Sequence, residues 1–200
     1  MQSNDKSIEA AIRSAKILIV DDEFYMRKVV RTLLLSMGVT DVHDAPDGAN
    51  GLIAIKALDP DLVLLDWQMD GMNGPEFVRH VRSPAKFPYP NVPIIMLTGH
   101  GEHSRVVEAM RLGVHEFLVK PVSAKALHER LASVLLNPRP MVKRGDYYGP
   151  APRKMPRYAG DYQNAERQAD SKVQVRVVPK VQPVSKPQVD WSDGDVIVLD

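Results

Sequence analysis

The sequence contains no cysteine in 200 residues. A disulfide framework and a thiolate metal site are therefore excluded, and a reducing compartment is expected. No apolar run approaches the roughly 20 residues needed to cross a bilayer. Met1 to Asp5 is polar and lacks the apolar centre of a secretion signal. These absences point to a soluble, cytoplasmic protein. There is no internal repeat, and no helix-turn-helix pattern, zinc spacing or RNA-binding fingerprint.

Charge is unevenly distributed. Residues 1–136 carry 15 Lys+Arg against 17 Asp+Glu, a net of −2. Residues 137–187 carry 11 against 4, a net of +7, and residues 188–200 carry 0 against 4, a net of −4. Eight of the 16 prolines fall between 137 and 187. Four regions follow: a lead-in over 1–15, a near-neutral domain over 16–136, a basic Pro-rich extension over 137–187 and an acidic end over 188–200. The extension reads as a largely disordered or extended tail, not a second globular domain.

Within 16–136, short apolar runs alternate with helical patterns. The strand candidates are Lys16 to Val20, the more polar Val39 to His43, Leu62 to Leu65, Pro93 to Leu97 and His115 to Val119. The helical patterns span about Phe24 to Met37, Asp47 to Leu58, Pro75 to Val81, Ser104 to Leu112 and, after an N-cap at Ser123, on to Leu136. In the second helix Leu52, Ile53, Ile55 and Ala57 are candidates for the packed face. Ser7 to Ala15 adds a short helical turn. Five such alternations predict an α/β fold, a five-stranded parallel sheet with helices on both faces. The loop from Ser83 to Asn91 is long for a connection of this kind.

The strand Leu62 to Leu65 runs straight into Asp66, although buried parallel strands do not normally end on a carboxylate. An aspartate that merely starts a turn in solvent would look the same in isolation. The other strand ends argue against that. Strand one ends at Asp21 and Asp22, strand four at Thr98 and strand five at Lys120. In a parallel sheet all of them emerge at one edge, where ligands of open α/β folds bind. Three carboxylates repel one another unless a cation joins them. Oxygen-only ligands favour Mg²⁺, which prefers to share its site with phosphate. The ammonium and the hydroxyl suit phosphoryl oxygens, and a free aspartate can attack phosphorus to give an acyl phosphate.

The motifs Val20-Asp21-Asp22-Glu23, Asp66 with Met69-x-x-Met72-x-Gly74, Thr98-Gly99 and Phe117-Leu118-Val119-Lys120-Pro121 stand in this order along the chain. With them, the stretch from Lys16 to about Leu136 resembles the receiver domain of two-component response regulators, of the chemotaxis-regulator type. The run from Phe24 to Arg31 also looks like the first helix of such proteins. The resemblance implies a flavodoxin-like fold and a phosphorelay protein that is not an enzyme in the usual sense. It implies Asp66 as phosphoacceptor, loaded by a sensor histidine kinase, a phosphotransfer protein or an acyl phosphate. It implies a Mg²⁺ site made by Asp22 and Asp66, with Asp21 assisting through water and Gln68 lending its backbone carbonyl. Thr98 would be the switch hydroxyl, Lys120 the lysine on the phosphoryl group and Phe117 the switch aromatic. Output would pass to a downstream protein through the helix after strand four, strand five and the helix after it. A cis Lys120-Pro121 bond is also implied.

One residue departs from the family pattern. Asp70 stands where proline usually follows the loop methionine, which predicts altered loop dynamics or partner choice. An aspartate-nucleophile phosphatase of the haloacid dehalogenase type is rejected, because the acidic pair comes first here and Gln68 stands where that superfamily has its second aspartate. His100 and His103 read as solvated loop residues, not a metal pair. The basic tail, with Tyr147, Tyr148, Tyr158 and Tyr162 among its cations, gives a nucleic-acid-binding regulator as the alternative function, less favoured than a solvated extension. Trp191 to Asp200 reads as a short docking peptide.

Overall fold

The computed structural model describes residues 2–99 and 103–152. Five strands form the central sheet: β1 (Ile17–Val20), β2 (Val42–Ala45), β3 (Leu62–Asp66), β4 (Ile94–Thr98) and β5 (Glu116–Val119). Their order is β2-β1-β3-β4-β5, and every pairing is parallel. Alternate side chains of a strand face opposite ways, and the core divides accordingly. Leu18, Val20, Val63, Leu65, Ile94 and Met96 pack on the face covered by α3 (Gly48–Leu58), α4 (Gly74–Val81) and α5 (His103–Leu112). Ile17, Ile19, Leu62, Leu64, Ile95 and Leu97 pack under α2 (Phe24–Ser36) and α6 (Ala124–Leu136). This is the doubly wound parallel sheet that the alternation predicts, in the flavodoxin-like form that the resemblance implies.

Several boundaries differ from the sequence reading, each for a local reason. The second strand begins at Val42, not Val39. Gly38 takes φ +85° after α2 and donates to the Leu35 carbonyl, while the Val39 N–H donates to the Leu34 carbonyl. That Schellman closure takes Val39 into the helix end, where it is fully buried. In α3, Ile53 and Ala57 are exposed, whereas Gly48, Gly51 and Ile55 face inward. A Cβ on Gly51 would lie 2.9 Å from both Phe77 and Val20, so close approach of the helix requires glycine there. The Lys120-Pro121 bond is cis, and Ser123 caps α6 by accepting from the Ala126 N–H.

Both ends of the domain extend further than the sequence reading has them. The lead-in forms a full helix, α1 (Gln2–Ser14), which packs against α6 and buries Ile12. The chain past Asn137 does not leave the domain. It forms an antiparallel hairpin of β6 (Met141–Arg144) and β7 (Tyr147–Pro150), burying Met141, Val142 and Tyr148. Gly145 takes φ +57° at the first position of the two-residue turn, as a type II′ hairpin needs. The prolines do not prevent this, because Pro140 precedes β6 and Pro150 ends β7. The long loop after α4 is fastened to the same structure, since Arg82 donates to the Pro90 and Gly113 carbonyls and Tyr148 to Asn91. His100, Tyr158, Tyr162, the basic stretch beyond Pro152 and the docking segment at Trp191 lie outside the described residues. Among the described residues, no helix is long and apolar enough to cross a membrane.

Candidate functional site

At the carboxyl edge of the sheet, β1 runs out into Asp21, which is 1% exposed. Its Oδ1 accepts from the Glu23 N–H at 2.9 Å, a turn that the aspartate side chain itself closes. Asp66 is the last residue of β3 and is 5% exposed. The Trp67 N–H after it still bonds the Leu97 carbonyl, so the carboxylate is carried on sheet backbone. Asp22 is exposed, and its Oδ2 accepts from the Asp70 N–H at 2.9 Å. One oxygen each from Asp21, Asp22 and Asp66 lies within 4.8 Å of the others.

Lys120 enters this cluster from the end of β5. Its Nζ lies 2.7 Å from Asp66 Oδ1 and 2.9 Å from Asp21 Oδ2, and its N–H donates to the Thr98 carbonyl at 2.7 Å. Thr98 ends β4 and is buried. Gln68 is exposed one residue beyond Trp67, and Phe117 is half-buried on β5. Asp21, Asp22, Asp66 and Lys120 are thus brought together as the sequence predicts, with Thr98 and Gln68 emerging at the same edge.

The electrostatics follow from the crowding. Burial pushes the Asp66 carboxyl above the usual range, and the Lys120 ammonium offsets only part of that. Burial pulls Lys120 down, but its hydrogen bonds to Asp66 and Asp21 outweigh this and hold it above its usual value. One ammonium faces three carboxylates, which leaves a deficit of positive charge. The donors are all oxygen, and a hard divalent cation such as Mg²⁺ fits both the donor set and the charge.

Two structural contributors are not evident from strand ends. Arg27 on α2 donates to the Asp21 and Asp22 carbonyls and lies 3.6 Å from Asp44, fixing the backbone under the acidic pair. Gly74 donates to the Trp67 carbonyl, and a Cβ there would lie 2.4 Å from the Asp66 carbonyl oxygen. The Met-x-x-Met-x-Gly spacing contains Gly74. Nothing about Arg27 in the sequence separates it from the other cations of α2. An open cleft of about 690 Å³ lies beside the cluster, lined by Asp22, Trp67, Gln68, Asp70, Arg79 and Glu108 among others.

Comparison with known proteins agrees with this geometry. Residues 17–132 match the response regulator receiver domain. The chemotaxis protein CheY-3 of Vibrio cholerae is 34% identical over 122 residues, spanning 61% of this chain and 92% of that protein. Chemotaxis protein CheY1 of Helicobacter pylori is 36% identical over 121 residues, 60% of this chain and 96% of the relative. The solved structure of the chemotaxis response regulator CheY4 of Vibrio cholerae superposes with a TM-score of 0.55 at 34% identity, covering 60% of this chain and 98% of the other. The alternation of strands, the acidic cluster and these likenesses converge: the chain belongs to the response regulator receiver domain family.

Proposed function

We propose that this receiver accepts a phosphoryl group on Asp66 and signals by a phosphorylation-dependent change of its surface. The observation that carries the reading is Lys120, whose Nζ bridges Asp66 and Asp21. An Asp66 oxygen attacks phosphorus, forming an O–P bond. The P–N bond of a phosphohistidine, or the P–O bond of an acyl phosphate, breaks, and the leaving group takes a proton from solvent. Lys120 holds the Asp66 carboxylate and meets the incoming phosphoryl oxygens, while Asp21 keeps the ammonium in place. Asp22, Asp66 and the Gln68 carbonyl, with Asp21 assisting through water, would hold a Mg²⁺, which would supply positive charge against the phosphoryl charge.

Phosphorylation brings about two negative charges to the edge of β3. The Thr98 hydroxyl turns toward the phosphoryl group, and Phe117 on the neighbouring strand turns inward. The surface formed by α5, β5 and α6 then presents a second arrangement to a downstream protein. Moving the population from 1:99 to 99:1 needs about 5.5 kcal/mol of differential stabilisation, part of which the partner supplies. Donors are a sensor histidine kinase or a phosphotransfer protein, which places the exchange in the cytoplasm.

An acyl-phosphate labelling assay with Mg²⁺ tests the site. Wild-type protein should take up label and Asp66→Asn should take up none. Equal labelling of the two would refute Asp66 as acceptor.

A further inference from the structure

The loop between β3 and α4 is tied across the site to the loop between β1 and α2. The Asp70 N–H donates to Asp22 Oδ2 at 2.9 Å, joining residues 48 apart. The two loops it joins carry Gln68 on one side and the acidic pair on the other. Each is also anchored at its own base, through Glu23 N–H to Asp21 and Gly74 N–H to the Trp67 carbonyl. Asp22 is exposed, so its carboxylate would sample several rotamers without a partner. Oδ1 has no described hydrogen bond among the described residues. Asp70 is exposed as well and lines the cleft beside Asp22. It therefore offers two separable things: a main-chain donor and a negative charge.

We propose that Asp70 is a positioning residue whose main-chain N–H occupies Asp22 Oδ2 and leaves Oδ1 as the oxygen offered to the cation. The inference rests on the Mg²⁺-assisted reading above. A carboxylate oxygen that already accepts an N–H is the poorer donor to a cation, so ligation through its free partner is favoured. Such monodentate ligation suits Mg²⁺, which demands near-octahedral geometry, better than Ca²⁺, which accepts bidentate carboxylates. Proline, usual in the family at this position, has no N–H to give. Removing an outer donor of this kind typically costs roughly 10–100-fold in metal affinity. Here the loop stays anchored at its base, so the expected loss is smaller, about five-fold.

Two variants separate the donor from the charge. Asp70→Ala keeps the N–H and removes the carboxylate, whereas Asp70→Pro removes both. Trp67 adjoins Asp66 and is 8% exposed, so its fluorescence reports cation binding once Trp191→Phe is introduced in every protein. Mg²⁺ is titrated directly, and Ca²⁺ is read by competition with Mg²⁺, both at constant ionic strength. Relative to Asp70→Ala, Asp70→Pro should raise the Mg²⁺ Kd roughly five-fold and move the Ca²⁺ Kd less than about two-fold. A purely structural disturbance would weaken both ions alike, and that result would overturn the positioning role. Equal Mg²⁺ affinity in the two variants would overturn it too. Wild-type protein that takes no Mg²⁺ would instead overturn the cation-assisted reading on which the role rests.

Discussion

Asp66 keeps its place through a residue with no side chain. Gly74 opens α4 directly against the Asp66 peptide, and a Cβ would sit 2.4 Å from its carbonyl oxygen and 3.0 Å from the Trp67 Cα. Those neighbours are backbone, so they yield only if the end of β3 moves. Gly74→Ala is expected to cost about 2 kcal/mol, within the range for overpacking a tight site, and to slow acyl-phosphate labelling roughly ten-fold by displacing the Asp66 carboxylate. Urea unfolding and labelling rates measure the two effects, and wild-type values in both would show that the contact has slack. At this scale the sequence reveals chemistry better than support. Asp21, Asp22, Asp66 and Lys120 were legible because a charged residue ending a buried strand is costly without a reason. Arg27 was not, because its role lies in donating to two carbonyls, and periodicity carries no record of which arginine on a helix points that way.

At the scale of elements, apolar runs located four strands of the sheet and set the second about three residues early, while caps and glycines decided where elements end and which face they bury. Val39 belongs to the end of α2 and not to β2 because its N–H closes the helix. Ile53 is 65% exposed because Gly51 takes the inward position that an aliphatic residue was expected to fill. The start of α3 shows the same logic with a measurable energy. Asp47 accepts from the Asn50 N–H and side chain at 2.7 Å each, and these bonds, the backbone one first, hold its carboxyl below the usual range. A depressed carboxyl pKa contributes stability that is present above the unfolded value and lost as pH falls through the folded one. Asp47→Ala should therefore cost about 1 kcal/mol at neutral pH. The gap to wild type should close as pH drops below about 4. Urea midpoints across that range provide the check, and a gap independent of pH would assign the loss to something other than the cap.

For the whole molecule, strand–helix alternation was enough to specify a two-faced sheet, but not how far along the chain the packed structure continues. Pro-rich, basic composition spoke for a tail from Asn137 onward. The Gly145-Asp146 pair, set between Met141-Val142 and Tyr147-Tyr148, carried the opposing hairpin signal. The hairpin closes the amino edge of β4 and β5. Gly113 and Gly149 meet there backbone to backbone, and Arg139 donates to the His115 and Ala151 carbonyls. His115 is 6% exposed, and its Nδ1 accepts from the Ile94 N–H, which leaves that nitrogen without a proton. Burial, then the Arg82 and Arg139 cations, hold His115 well below its usual pKa. The folded chain thus keeps this imidazole neutral where the unfolded chain takes up a proton. Its contribution is present above the unfolded value of about 6.5 and is lost as pH falls. Residues 1–152 should therefore be more stable than residues 1–137, by about 2 kcal/mol at pH 7.5, or roughly 4–8 °C in Tm. Removing the hairpin takes away Arg139 and part of the cover over His115, while Arg82 stays, so in the shorter chain the folded imidazole should take up its proton at a higher pH. The difference between the two chains should then shrink between about pH 6.5 and 5, and His115→Asn in the longer chain should flatten that slope. Equal melting temperatures for the two chains would mean that the hairpin rests on the domain without stabilising it.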